Sequence, residues 1–177
     1  MEAQPDLRYP VGKFVKPASI DAARRRSFVE ELASLPAALR GAVAGLSAEQ
    51  LDTPYRPGGW TVRQVVHHLP DSHLNAYVRF KLALTEEEPA IRTYEEALWA
   101  ETPEARSGPV AISLDLLAAL HARWLAGIDG LPAAAFARRL RHPDWGILSI
   151  DELLAQYAWH GRHHLAHVTR LRERRGW

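Results

Sequence analysis

Histidines are the residues of this sequence with the clearest capacity for chemistry. The chain has nine of them in 177 residues, and most fall in two short stretches. The first stretch contains His67, His68 and His73, and the second contains His160, His163, His164 and His167. Neutral imidazoles are common ligands of divalent transition metals. Because the chain has no cysteine, any metal must be held by nitrogen or oxygen.

The second stretch lies on a predicted helix whose apolar residues recur every three or four positions. Continuing that period places His160 and His164 on the face directed at the interior. Residues four apart on a helix have Cβ atoms about 5–6 Å apart, so both rings can reach one ion. His163 and His167 repeat the spacing but lie off the apolar face, and we expect them around the site or at the surface. A pair of this kind alone could also be two ordinary core histidines.

A third ligand would have to come from the first stretch, and three neutral nitrogens with open positions are typical of a catalytic divalent site. His67 points away from the apolar face and is expected to face solvent, His68 lies at its flank, and His73 lies within it. Pro70 lacks the amide hydrogen that would bond the carbonyl of Val66, so we expect a bend after His68. The spacing alone leaves His68 and His73 as equal candidates.

Four long amphipathic helices must position these residues. They are predicted over 20–45, 61–86, 113–130 and 149–174, with an extended arm over 1–18 and an irregular segment over 133–148. With no convincing strand pattern, they predict a single domain, 1–177, of all-α class: a four-helix bundle. The long connection from Glu87 between the second and third helices favours a crossover.

Local signals define where these helices begin. Ser19 is expected to cap the first helix, and Pro36 is expected to kink or divide it. Capping boxes are predicted at Ser47, Thr61 and Ser149. Thr93 and Glu96 predict a brief helical turn that contains Trp99, and the RHPDWG segment is predicted to turn.

Composition excludes several classes of protein. Hydrophobic residues make up 47% and charged residues 24%, and the net charge is +1, so nothing draws the chain toward nucleic acid or an acidic membrane. The first ten residues carry acids and prolines where a signal peptide would have basic and then apolar residues. We therefore expect a cytoplasmic protein with no nucleic-acid partner and no membrane span.

Several blocks, read in order, resemble the YfiT-like branch of the DinB superfamily over nearly the whole chain. They are RYPVGKF, LDTPYRPGGWTVRQVVHHLPDSH, YVRFKLALTEE, LHARW, HPDWG and WHGRHHLAHV. The resemblance implies a four-helix bundle, usually a homodimer, that holds one zinc or nickel ion and is provisionally assigned as a metal-dependent hydrolase. Carried over by position, it implies His68, His160 and His164 as the three metal ligands. The family usually has a small residue where this chain has Pro70.

Three functions are compatible with such a site. A divalent ion on three imidazoles lowers the pKa of bound water toward about 7, which favours hydrolysis of a small-molecule substrate. Other branches of the superfamily activate a thiol such as bacillithiol or mycothiol, so a thiol S-transferase is the alternative enzyme. A third possibility is a non-catalytic stress protein in which a metal ties two helices together.

Further polar and aromatic residues lie near the expected ligands. Four on the second long helix could orient an imidazole, move a proton or clamp an anion, although such residues are more often at the surface or in packing contacts. They are Asp71, His73, Asn75 and Arg79. Four tryptophans are expected in the core, and Trp159 is the best candidate to line a pocket. They are Trp60, Trp99, Trp124 and Trp159.

Overall fold

The computed structural model describes residues 6–177, and four long helices form its body. They are α1 (Ala22–Val43), α3 (Val62–Thr85), α6 (Val110–Ile128) and α7 (Ile150–Arg175). Three short helices connect them: α2 (Ala48–Leu51), α4 (Glu96–Trp99) and α5 (Pro103–Ser107). The prediction of an all-α four-helix bundle is confirmed. Residues 6–18 of the expected arm form turns and extended backbone, and residues 1–5 of it lie outside the described residues.

Three helices begin at the capping boxes that the sequence predicts. These are at Ser47, Thr61 and Ser149. At Thr61 the hydroxyl accepts the Gln64 amide hydrogen at 3.1 Å, and the Gln64 side chain accepts that of Thr61 at 2.9 Å. The predicted N-cap of α1 is wrong. Asp21, and not Ser19, accepts the Arg24 amide hydrogen, at 2.7 Å. Ser and Asp are both favoured N-caps, and periodicity does not define the first turn of a helix.

Both interior prolines lie inside unbroken helices. Pro36 does not divide α1, and α3 runs through Pro70 from Val62 to Thr85. Each proline still removes one main-chain hydrogen bond, because it has no amide hydrogen for the carbonyl four residues earlier. For Pro36 that carbonyl belongs to Leu32. Since α3 is continuous, His68 and His73 stay on one helix.

The directions of the helices follow from contacts near their ends. Arg25 of α1 bonds Asp151 of α7 at 2.6 Å, and Arg172 donates to the Ala42 carbonyl at 2.7 Å, so α1 and α7 run parallel. The next pair, α3 and α6, also runs parallel. His67 hydrogen-bonds Ser113 near the start of both, and the rings of Phe80 and Trp124 meet nearer their ends, at 6.0 Å.

The two parallel pairs oppose each other. Arg79 of α3 donates to the hydroxyl of Tyr157 of α7, whereas His68, earlier on α3, contacts His164, later on α7. The segment between α3 and α6 must therefore return to the starting end of α3 before α6 begins. This return is the crossover that the long connection predicts.

A β-hairpin precedes α7, where the sequence predicted irregular structure. After a 3₁₀ turn at Ala133–Ala137, β1 (Arg139–His142) pairs antiparallel with β2 (Gly146–Ser149). Leu140 and Leu148 face each other across it, and both are buried. The predicted turn lies between the strands. Four-residue strands are too short to show a recognisable alternation, which is why the pattern missed them.

The apolar core is divided into two clusters, and histidines lie where one gives way to the other. On α6 the change falls at His121, between Leu117 of one cluster and Trp124 of the other. On α7 it falls between Ala158 and Val168, the segment that carries the second histidine stretch. A layer of buried imidazoles thus crosses the middle of the bundle.

By length and apolar composition, one helix among residues 6–177, α6, could cross a membrane. It packs against α1 and α3, and its inward residues include Leu114, Leu117 and His121. One face of α6 therefore belongs to the core of the bundle.

Adjacent leucines on α6 test this orientation. Leu117 is fully buried and Leu116 is 45% exposed. We expect Leu117→Ala to lower the free energy of unfolding by about 2–5 kcal/mol, because it leaves a cavity. The matched change Leu116→Ala should stay within about 0.5 kcal/mol of the parent. Urea unfolding monitored by circular dichroism measures both, and similar losses would contradict the orientation.

Candidate metal centre

Three imidazoles converge in the middle of the bundle: His68 from α3, and His160 and His164 from α7. One ring nitrogen of each lies within 4.8 Å of one nitrogen of the other two. Nε2 of His68 and Nε2 of His160 are 3.2 Å apart. Two nitrogens bound to one tetrahedral ion at about 2.0–2.1 Å are about 3.4 Å apart, so the observed spacing fits a shared ion.

Burial keeps these three rings neutral. His68 and His164 are 6% and 8% exposed, and His160 is half-buried. Desolvation lowers the pKa of His68 to about 4 and holds those of His160 and His164 well below the ordinary 6.5. Nδ1 of His164 is buried with no hydrogen-bond partner among residues 6–177. Neutral imidazole nitrogens with free lone pairs are what a divalent transition metal requires.

Trp60 and Gly161 shape the surroundings of the triad. The Trp60 ring stacks on His164, with centroids 6.2 Å apart and planes at 16°, and lies 4.7 Å from the ring of His68. Gly161 lies between the two α7 histidines, and a Cβ there would come within 2.6 Å of Cδ2 of Leu35. Glycine thus lets α1 approach α7 closely beside the site.

His73, the rival third ligand, lies behind the triad rather than in it. Its Nε2 is 3.2 Å from Nδ1 of His160, and its Nδ1 is 2.9 Å from Nε2 of His121. Nδ1 of His121 is 2.6 Å from the Leu32 carbonyl oxygen. No spacing pattern in the sequence singles out His121. It stands alone on α6, and its place on that helix's apolar face, between Leu117 and Trp124, was the available signal.

His163 and His167 lie beside the triad, with ring centroids 5.0 and 5.3 Å from that of His164, and both are buried. Of the two expected placements, the one around the site is therefore right and the one at the surface is wrong. His163 stacks on Trp159 at 4.7 Å, and His167 stacks on Tyr55 at 3.8 Å and hydrogen-bonds the Arg8 carbonyl. Burial lowers their pKa values to about 4 and about 3. The N-terminal arm and the loop before α3 cover this side of α7, which helical periodicity does not reveal.

His67 is also buried, contrary to the expectation that it faces solvent. Its Nδ1 is 2.7 Å from the Ser113 hydroxyl, and its Nε2 is 3.2 Å from the Gly108 carbonyl oxygen. The residue therefore ties α3 to the start of α6. It was misassigned because the crossover brings a second covering layer onto the face of α3 opposite the core.

The other polar candidates on α3 have separate roles. Arg79 is buried and donates to the Tyr157 hydroxyl at 3.2 Å and the Arg92 carbonyl at 3.1 Å. Asn75 donates to the main-chain carbonyl of Asp71. Burial raises the pKa of Asp71 to about 6. Of the four candidates, His73 is the one seen to hydrogen-bond a triad ring within residues 6–177.

The tryptophans divide between core and surface. Trp124 is 1% exposed and belongs to the core, as expected, but Trp99 is 40% exposed, so its core assignment is wrong. Trp159 is half-buried, stacks on His163 and donates to the Gly12 carbonyl. Trp60, rather than Trp159, contacts the triad directly.

Comparisons with known proteins agree on one family. A sequence model of the DinB superfamily matches residues 31–168, a range that includes all three triad histidines. Relatives from Bacillus mycoides (strain KBAB4) and Bacillus cereus (strain AH820) are each 48% identical over 172 residues, covering 97% of this chain and 99% of theirs. Both carry the provisional name of metal-dependent hydrolase.

A solved structure has the same fold over the same length. YfiT from Bacillus subtilis is 47% identical, with a TM-score of 0.94, and the match covers 97% of this chain and 98% of that one. It is described as a probable metal-dependent hydrolase with an unusual four-helix bundle topology.

The buried histidines make stability sensitive to acid. The pKa is lowered in all nine, mainly by burial. Below about pH 6.5 the unfolded chain takes up protons that the folded chain refuses, so stability falls as pH falls. The raised pKa of Asp71 acts in the opposite direction, because protonation of this one group favours the folded state as pH falls. We expect metal-free protein to lose about 1.4 kcal/mol or more between pH 7.5 and 5.5, the linkage value of one pKa unit.

Urea unfolding with chelator present measures this loss. The variant His163→Phe keeps a ring to stack on Trp159 but cannot take up a proton, so its pH dependence should be shallower. Equal stability of the parent at the two pH values would contradict the account.

Proposed function

The chain belongs to the DinB superfamily, and on that premise we propose that it is a metal-dependent hydrolase whose divalent ion is bound by His68, His160 and His164. The observation that supports this most is the convergence of three neutral imidazole nitrogens within 4.8 Å of one another. The names of the Bacillus relatives, which match over almost their full length, point to the same activity. Three nitrogen ligands leave coordination positions for water and substrate.

The bound ion would supply Lewis acidity, lowering the pKa of water toward about 7 and polarising a substrate carbonyl. The protein's part is to hold three neutral donors on rigid helices, so that little reorganisation accompanies reaction. Trp60 covers the rings of His68 and His164 with an apolar surface, which excludes water from that side. His160 is the most exposed residue of the triad.

Imidazole ligands suit zinc and nickel alike, and both remain in the proposal. The expected homodimer, the cytoplasmic location and the lack of nucleic-acid or membrane partners stay predictions. None of them enters the chemistry proposed for the triad.

Two neighbouring histidines on α3, His67 and His68, allow a test of the proposed ligand set. His68→Ala should abolish metal binding, because two imidazoles on one helix hold an ion far more weakly than three. His67→Ala is the matched control: its partners are Ser113 and Gly108, so it should keep the metal while losing some stability. Elemental analysis of protein purified without a histidine tag measures the metal, and turnover of a panel of p-nitrophenyl esters and anilides measures hydrolysis.

Hydrolysis should disappear with the metal in His68→Ala and return to near parental rates in reconstituted His67→Ala. Activity that persists in metal-free protein would overturn the proposal. Adding bacillithiol or mycothiol with an epoxide or haloaromatic electrophile distinguishes thiol transfer, since a conjugate without hydrolysis would replace the proposed reaction. Metal binding with neither reaction would favour the non-catalytic alternative.

A further inference from the structure

Two of the most deeply buried histidines take no part in the proposed ligand set. His73 and His121 are 0% and 1% exposed. Each uses both ring nitrogens in contacts of 3.2 Å or less. The contacts join end to end, from Nδ1 of His160 through His73 and His121 to the main-chain carbonyl of Leu32. The chain of contacts thus connects a main-chain carbonyl of α1 to His160, one of the three proposed metal ligands.

The carbonyl sets the direction of every bond in the chain. A carbonyl oxygen can only accept, so the hydrogen at the 2.6 Å contact is on Nδ1 of His121. A neutral imidazole carries one N–H, so Nε2 of His121 must accept from Nδ1 of His73, at 2.9 Å. By the same argument, Nε2 of His73 accepts from Nδ1 of His160, at 3.2 Å. Nε2 of His160 is then left with a lone pair, 3.2 Å from Nε2 of His68.

Pro36 explains why the Leu32 carbonyl is free to begin the chain. In a regular helix that carbonyl would accept the amide hydrogen of residue 36, four positions on. Proline has none, so the oxygen lacks its helix donor. Pro36 is buried in α1, which continues unbroken past it to Val43. The imidazole of His121 takes the place of the missing donor.

We propose that Pro36, His121 and His73 form a positioning chain that fixes the tautomer and the ring orientation of His160, so that its Nε2 faces the metal position. The inference rests on the proposed ligand set but not on hydrolysis. Metal-bound histidines generally donate their other N–H to a partner, and loss of that partner costs about 10–100-fold in metal affinity. Here the partner of His160 is a chain of two imidazoles and one main-chain carbonyl. This chain links α7, α3, α6 and α1.

The tautomers themselves provide the first test. Long-range proton–nitrogen NMR spectra of the full chain, recorded with zinc and again after chelation, distinguish Nδ1–H from Nε2–H in each ring. We expect Nδ1–H on all three of His160, His73 and His121 in both states. An Nε2–H tautomer on His73 or His121 would overturn the chain. This readout stands even if the protein hydrolyses nothing.

Two changes at His121 separate positioning from simple packing. His121→Phe fills the space but neither donates nor accepts, so we expect zinc affinity to fall about 10–100-fold and the His73 and His160 tautomers to become mixed. His121→Gln can donate through its amide nitrogen and accept through its oxygen, so it should restore most of the affinity and the Nδ1–H tautomers. Equal effects of Phe and Gln would mean that the residue only packs.

Pro36→Ala tests the beginning of the chain, because it returns a competing amide hydrogen to the Leu32 carbonyl. The oxygen has two lone pairs, so we expect a smaller loss of zinc affinity than for His121→Phe, in the same direction. Unchanged affinity would remove Pro36 from the chain. His142→Phe is the matched control, a buried histidine stacked on Trp145 in the hairpin, and should leave zinc affinity unchanged.

Competition with a chromogenic chelator measures these affinities. A parent protein that binds no zinc would refute the proposed ligand set, while the tautomers would still decide the chain. A parent that binds zinc with the same affinity as His121→Phe would refute the chain alone.

Discussion

The burial of neutral imidazoles in a layer across the bundle is the constraint on which the rest of the structure depends. Imidazoles at such depth resist protonation, and each must find a partner for its N–H and a use for its lone pair. All four long helices contribute groups to the layer. Hydrogen-bonded contacts join His68, His160, His73 and His121, whereas Nδ1 of His164 is buried with no partner among residues 6–177. α3 supplies His68 and His73, α6 supplies His121, α7 supplies His160 and His164, and α1 supplies the Leu32 carbonyl. Apolar clusters lie on either side of the layer.

The parallel pairing of α3 and α6 depends on the segment that connects them. His73 and His121 meet near the middle of these two parallel helices. The parallel direction requires the long crossover between them. His67 then holds the start of α6 against α3 through Ser113 and Gly108. The crossover is thus part of the support for the site, and not only a connection.

A second group of histidines borders the site on the arm side. His163 stacks on Trp159, and His167 stacks on Tyr55 and bonds the Arg8 carbonyl. The ring of His163 lies 5.0 Å from that of His164, so the arm's packing reaches the triad through one intervening side chain. One face of the centre is therefore closed by chain segments that carry no ligand.

The sequence by itself determined the helices, their capping boxes and the pairing of His160 with His164, because these depend on spacing within one helix. The family resemblance implied His68 as their partner, which spacing alone could not choose over His73. Only the tertiary structure placed His73 behind His160, brought in His121 and buried His67, His163 and His167. Periodicity reports the angle of a side chain about its own helix axis. It does not report which other segment covers that angle, and that depends on how the helices, the crossover and the arm pack together.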